Sequence, residues 1–539
     1  MSFDLTVRPW IPVVDLTGAH QEWGLEEALA RAHEARRVVG DSPTTTAALH
    51  RLVLAFAHRV YGPRSLDRWQ EYWEKRAVGL PRDPLVDYLL EHREKFDLFH
   101  PHRPFFQCPA LRECPPATAA KLVPYRSVGS NVTLFDKTLA TDRPTLAPAE
   151  AARWLVTLQA YDPGGLKTPA PGGKDKSSER APANHFGCVL VEGATLLETL
   201  LLNLLIYDAD RSHTSVSLRP DRPVWEDEEP VSPEPDKRSP LGLTDLLTWP
   251  SRRVLLTADP GTDWAVTGVV ITPGVRLEAD LPSVEGMAAY RRPPRRGKKE
   301  LLPKFPVRLE PLRGVWRHAE ELLLANTDAK MGAADRYGER QRPAALDQIA
   351  SLVDRDHLRD DAVYTLRVFG QQLDKKGAVA ECWLEEAVPA PVALMRQNNR
   401  SLGCILGCAS RLADEAGALL RALQRDYRKS FRAPPAGDLD VRYWPRLVRP
   451  FDDFVRHLGE AARRVRPIGE VIGEWRDVVC ITATGAAETW IYGQSRASER
   501  DLLSAGEYLA RFRKDLYLAR LRYEDEADSY VPEELWDEN

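Results

Sequence analysis

The sequence predicts a mixed α+β protein: a large α/β N-terminal domain over residues 1–388, followed by a C-terminal four-helix bundle over residues 389–539. Three observations lead there. Arg253–Leu281 alternates through RVLLTA, WAVTGVVI and VRLEADL, the period-two pattern of a small sheet. Helical runs stand on both sides of that sheet in the chain. After Pro389 and Pro391 the composition changes to long helical segments, Ser401–Leu423, Tyr443–Val465, roughly Ala487–Arg496 with flanks, and Glu499–Glu524, separated by APPAGD and a short Gly/Thr stretch. At 539 residues the chain is also too long for one core.

Taken in order, Phe3–Val14 reads as an extended strand with a Pro-Trp-Ile-Pro corner. Gly24–Ala35 and Ser42–Tyr61 read as helices, the second opened by a Ser-Pro cap signal. Ser65–Arg76 and Pro84–Lys95 continue the helical pattern. Phe96–Leu111 is aromatic, proline-rich and irregular; its His100, His102 and Cys108 lack a fourth ligand at a recognised spacing, so packing is the expected role and no metal site is assigned. Ser127–Asp142 is a polar loop around Phe135, and Pro148–Gln159 a helix. Leu196–Tyr207 is apolar around most of its circumference and predicts a core helix. Glu226–Asp236 reads as an exposed acidic linker. Gly314–Asn326 and Ala344–Asp356 read as helices, and Tyr364–Val379 as a strand, a turn and a second strand. The last sixteen residues hold eight acids and no base, which predicts a frayed tail.

Composition excludes several classes. The net charge of −5 means that any basic surface is local. Seven cysteines, an odd number without a CxxC pair, support neither a disulfide framework nor a zinc ribbon. MSFDLTVRPWIPV has no basic start followed by an apolar core, and no apolar run reaches membrane-spanning length. The expectation is a soluble cytoplasmic protein with no membrane partner and no cofactor. No GxSxG, HExxH or Walker sequence is present, so a binding role is expected in preference to catalysis. The alternatives are a metal-dependent nuclease or hydrolase with an unrecognised carboxylate site, and a protein-only scaffold.

Three stretches are candidates for binding chemistry, each with a plain alternative: a flexible surface loop, a solvated basic loop and an ordinary hairpin turn. Ala160–Lys176, AYDPGGLKTPAPGGKDK, breaks a helix with glycines that let backbone approach a ligand and with lysines that supply donors. Tyr290–Lys304 holds Arg291, Arg292, Arg295, Arg296, Lys298, Lys299 and Lys304 against the single acid Glu300, and its prolines predict a loop. So many like charges repel one another, which favours a polyanion partner. The hairpin tip Gln371–Gly377 offers two amides and two lysines, Lys375 and Lys376, able to meet base edges.

Five short motifs in this order then resemble the CasA family, the large subunit of the type I-E CRISPR surveillance complex Cascade. They are RPWIPV (Arg8–Val13), HRPFFQ (His102–Gln107), LLETLLLNLL (Leu196–Leu205), GMAAYRR (Gly286–Arg292) followed by VWR (Val315–Arg317), and RYWPRLVRPFDDF (Arg442–Phe454). The resemblance implies a non-enzymatic subunit at the crRNA 5′-handle end, with the domain order given above. It implies reading of the protospacer-adjacent motif (PAM) in double-stranded DNA from the minor groove, help in duplex opening and R-loop formation, and docking of a helicase-nuclease. Its partners would be the target DNA, the crRNA-bound backbone, handle-end and small subunits of Cascade, and that nuclease.

Residue by residue, the family's glycine loop resembles Gly164, Gly165, Lys167 and Thr168, with Gly172 and Gly173 as rivals. The glutamine wedge falls on the hairpin Phe369–Ala378, where Gln371 and Gln372 lie early and Lys376 or Gly377 occupies the tip. The lysine finger falls near Thr272–Arg276, which offers Arg276 and no lysine. Arg291, Arg292, Arg295, Arg296, Lys298 and Lys299 would hold the flanking duplex backbone. The loop with Asn131, Phe135 and Lys137 resembles the one that anchors the subunit at the crRNA handle.

Overall fold

A computed structural model describes residues 3–126, 144–207, 220–227, 231–293, 302–309, 314–324, 339–396, 400–430, 438–494, 499–532 and 535. The basic loop residues Arg295, Arg296, Lys298 and Lys299, and the anchoring loop residues Asn131, Phe135 and Lys137, lie outside the described residues. The fold is mixed α+β, and the chain divides into two compact units: Met1–Ala288 with Val368–Glu385, and Ala289–Arg367 with Glu386–Asn539.

The first unit is built around the helix Pro43–Tyr61, which is buried through most of its length. Its start follows from the sequence: Ser42 Oγ accepts the backbone N–H of Thr45 at 3.1 Å, and Pro43, having no N–H, leaves no donor unsatisfied there. Packed on it is the helix Pro148–Tyr161, whose Thr157 hydroxyl donates to Thr45 Oγ1 at 3.1 Å. A three-stranded antiparallel sheet orders His20–Trp23, Ile11–Asp15 and Ala35–Val38. A second orders Ala117–Thr118, Ala265–Pro273 and Arg252–Asp259. Val275–Leu277 turns away from that sheet to pair in parallel with Asp236–Arg238.

The second unit contains a small sheet of Phe305–Pro306, Tyr290–Arg292 and Glu339–Gln341, and four long helices, Arg400–Ser430, Asp438–Ala462, Ile468–Gln494 and Glu499–Ser529. Trp316, Phe451 and Trp475 form an aromatic cluster with ring centroids 4.6 Å (Trp316–Phe451) and 5.3 Å (Phe451–Trp475) apart.

Several expectations are corrected. The predicted helix Gly24–Ala35 stops at Ala30, because Ala35–Val38 is taken up as a strand against Val13–Asp15. The apolar helix ends at Asn203 and not Tyr207. The Asn203 amide donates to Val191 O at 2.7 Å and accepts from Val191 N at 3.1 Å, so it completes a strand edge and diverts the chain. The acidic "linker" begins with a largely buried side chain: Glu226 accepts two bonds from Arg59, at 2.7 and 2.8 Å, and one from the Tyr88 hydroxyl at 2.7 Å. The third bundle helix runs unbroken through ITATGAA, where buried Ala483, Ala486 and Ala487 let it pack closely and override the weak helix propensity of Thr and Gly. The tail is helical to Ser529, held by Glu524 to Arg476 and by Glu526 to Arg411 at 2.7 Å.

His58 in the central helix has no hydrogen-bond partner for either ring nitrogen among the described residues. Burial pushes its imidazole down to about 3, against a weaker upward pull from Asp221. The unfolded imidazole takes its proton near 6.5, so between these values the unfolded state binds more protons and stability falls as pH drops. The slope from this one group is at most about 1.4 kcal/mol per pH unit. A His58→Leu variant is expected to lose part of this acid sensitivity, measurable from chemical-denaturation midpoints between about pH 7 and about pH 4.

Candidate nucleic-acid interface

The glycine-rich stretch begins where the helix Pro148–Tyr161 ends, and its first residues are fixed by a buried charge cluster. Asp162 Oδ2 receives Lys167 Nζ at 2.6 Å and Arg252 Nε at 2.5 Å. The side chains of Asp162, Lys167 and Arg252 are 11%, 12% and 3% exposed. Burial pushes the Asp162 carboxyl up, but Lys167 and Arg252 together outweigh that and hold it below its ordinary value. The remaining donors of Arg252 meet carbonyls on both limbs of the loop, Pro163 O at 3.2 Å and Glu179 O at 2.6 Å. Gln159 ties the helix end to the same arginine: its amide donates to Arg252 O at 3.0 Å and accepts from Arg252 N at 2.9 Å.

On this base the loop forms a short ladder, Gly165–Leu166 against Ser177–Ser178. Gly165 has φ of 120°, where a side chain would strain the backbone. Leu166 is 81% exposed, and Thr168 N donates to Ile271 O at 3.1 Å, so the loop lies against the strand that leads to Arg276.

The hairpin of Val363–Leu373 and Ala380–Pro391 meets this loop at its tip: Gly164 N donates to Gly377 O at 3.0 Å. Gly377 has φ of 69°, and a methyl group there would come within 3.1 Å of Arg180 Cδ. Asp374 closes the turn, its carboxylate accepting from Ala378 N at 2.7 Å and Val379 N at 2.9 Å; these backbone bonds lower its pKa. The turn leaves Lys375 and Lys376 exposed.

The structure thus brings Gly164, Gly165 and Gly377 together and gives the other expected residues different settings. Lys167 is spent on Asp162. Gln371 donates to Tyr161 O at 2.7 Å and Asn184 Oδ1 at 2.5 Å and accepts from Trp383 Nε1 at 3.1 Å, so its amide is fully engaged inside the protein. Gln372 donates to Glu381 Oε2 at 3.0 Å. Arg276 is partly exposed and loosely held, 3.5 Å from Asp175 Oδ2 and 3.3 Å from Ser177 O.

In the second unit, Arg291 and Arg292 stand on a strand and not on a loop. Arg292 pairs with Glu339 at 2.9 Å and Arg291 reaches Glu321 at 3.7 Å, which removes part of the charge that the sequence counts in that cluster. His100 Nδ1 accepts from the backbone N–H of His102 and Arg103, at 3.2 and 3.0 Å, and serves a turn. Among the described residues no group of three His, Cys, Asp or Glu side chains could hold a metal ion, and no helix is long and apolar enough to cross a membrane.

Sequence reading missed Asp162, Arg252 and Arg180. A signal for the first two existed: an acid directly at the helix end before Pro-Gly-Gly, and an arginine pair opening the strand ahead of Val254–Leu256.

Residues 4–486 match the model of the CRISPR-associated protein Cse1 family. The CRISPR-associated protein CasA/Cse1 of Thermus thermophilus is 34% identical over 520 residues, covering 90% of this chain and 94% of that protein. The crystal structure of Thermobifida fusca Cse1 superposes with a TM-score of 0.80 at 30% identity, covering 96% of this chain and 98% of that one. A chain from a solved CRISPR RNA-guided surveillance complex shares the fold, with a TM-score of 0.75 at 22% identity over 96% of this chain and 99% of its own. The chain belongs to the CRISPR-associated Cse1 family, also called CasA.

Replacing Asp162 with Asn leaves Lys167 and Arg252 facing each other without their anion. The expected loss is about 3 kcal/mol of stability, with earlier proteolysis within Gly164–Lys176. Adding Lys167→Met is expected to recover part of the loss. Denaturant titration of the two variants checks both statements.

Proposed function

We propose that this chain is the large, non-catalytic subunit of a type I-E Cascade complex, that it recognises the PAM in double-stranded DNA through the minor groove, and that it promotes duplex opening and crRNA-guided R-loop formation. It would also recruit the helicase-nuclease that degrades the target. Membership of the Cse1 family and the shared fold of a surveillance-complex chain support the placement in such a complex. The observation that carries the DNA-reading part is the Gly164 N–Gly377 O hydrogen bond, which sets the Gly164–Gly165 backbone and a turn bearing two exposed lysines side by side.

The roles follow from the chemistry of that junction. A glycine loop approaches the groove floor closely, where only A·T is readily told from G·C, so a short and permissive motif is the natural target. With Gln371 engaged inside the protein, Lys375 and Lys376 are the side chains free to enter beside the motif, and Gln371 acts as the clamp of the hairpin. Wedge insertion costs a few kcal/mol of unstacking per step, offset by backbone contacts and by RNA–DNA pairing. Arg291, Arg292, Arg295, Arg296, Lys298 and Lys299 would hold the flanking duplex, and Asn131, Phe135 and Lys137 would contact the crRNA-handle end. In this reading residues 1–388 carry the DNA-reading loops, residues 389–539 form the bundle domain, and the complex works in the cytoplasm.

The test is duplex binding by the crRNA-loaded remainder of Cascade, with and without this chain, on a library of randomised motifs. Tight binding that depends on both chain and motif is expected; indifference to either overturns the reading. Within that assay, Lys375→Ala with Lys376→Ala is expected to reduce strand opening, read by permanganate reactivity of unpaired thymines, by about tenfold or more. Initial capture of the duplex should fall by less.

A further inference from the structure

Arg180 follows the short strand Ser177–Ser178 and sits where the glycine loop and the hairpin touch. Methyl groups built on Gly164 and Gly377 would lie 3.4 Å from its Cγ and 3.1 Å from its Cδ. The aliphatic stem of Arg180 thus fills the gap that these two glycines leave. The residue is half-buried, and its guanidinium makes no hydrogen bond or ion pair with any described residue. A guanidinium placed by its stem and without a partner in the described residues has its donors available to an anion.

The same side chain lines a cleft of about 190 Å³ that also takes in Ser177, His185, Arg252 and Arg276. Arg252 contributes charge but has its donors committed to Asp162 and to backbone carbonyls. Arg276 has only its long contacts to Asp175 and Ser177. Glu179 is the one acid on the lining; it is exposed, and its carbonyl oxygen takes Arg252. The cleft is several times the roughly 30 Å³ of a water molecule and polar enough for an oxyanion.

We infer that Arg180 and Arg276 take one phosphodiester of the DNA strand that passes the loop–hairpin junction. Arg180 is the fixed donor, held by the two glycines, and Arg276 exchanges its weak hold on Asp175 for the phosphate. Guanidinium suits this role through its planar pair of donors. The inference rests on the DNA-reading function proposed above and adds a phosphate-positioning residue that carries no sequence preference.

The experiment uses the assembled crRNA-loaded complex with Arg180→Met, which keeps the stem against Gly377, and Arg180→Lys, which keeps a charge. Affinity is measured against salt on duplexes with and without a preferred motif. Arg180→Met is expected to weaken both duplexes by about tenfold and to flatten the log–log salt dependence by roughly one unit, with Arg180→Lys between it and wild type. A scan of single methylphosphonate linkages should find one position whose neutralisation harms wild type and not Arg180→Met. Wild-type affinity and slope in Arg180→Met overturn the phosphate assignment and leave Arg180 a packing residue. A wild-type complex without motif-dependent duplex binding overturns the underlying function as well.

Discussion

The local geometry of the loop–hairpin junction depends on one carboxylate. Asp162 is buried at the end of a helix and satisfies two cations that the sequence separates widely, one inside the glycine loop and one at the start of a strand. Without it, Lys167 would swing outward and Arg252 would lose the anchor from which it holds the carbonyls of Pro163 and Glu179. The loop therefore has a fixed base under the side-chain-free backbone of Gly164 and Gly165. The same base sets the height at which Gly164 presents its N–H to the hairpin. A cluster of this kind contributes more to uniqueness than to net stability, because desolvating three charges offsets much of their attraction.

Charge at the interface is correspondingly divided by burial. Lys167 and Arg252 are structural cations, satisfied from within. Arg180, Lys375 and Lys376 make no hydrogen bond or ion pair through their side chains with the described residues, and Arg276 has a weak one. Charge density along the sequence does not separate these groups. Arg291 and Arg292, counted in the densest basic run, are in part neutralised by Glu321 and Glu339, whereas Arg180 stands alone in SSERAP and attracts no notice there.

What the sequence made legible follows the range of the interactions involved. Local signals located their elements closely: the Ser42–Pro43 cap, the alternation through the sheet strands, and the first hairpin strand with its Gly377 turn, although the second strand, Ala380–Pro391, lies wholly beyond the expected Tyr364–Val379. Signals overridden by distant contacts failed. Asn203 ends a helix because of Val191, Glu226 is drawn inward by Arg59 and Tyr88, and the ITATGAA segment stays helical because its alanines are packed. At the site, the glycines were readable because backbone freedom is a property of one residue. The role of Gln371 was not, since it is set by Tyr161, Asn184 and Trp383, up to 210 positions away.

In the DNA-reading role proposed for the hairpin, that internal engagement of Gln371 would bear on the search for a target. A hairpin whose amide is already bonded to a helix end and to an indole has little conformational entropy left to lose when it meets DNA. Under the DNA-reading function proposed above, a complex built on such a hairpin would sample each duplex by collision and leave it quickly, because rejection would require no refolding of the reader. Time would then be spent only where the duplex itself yields, so discrimination shifts from the protein's flexibility to that of the base-pair step beside the motif.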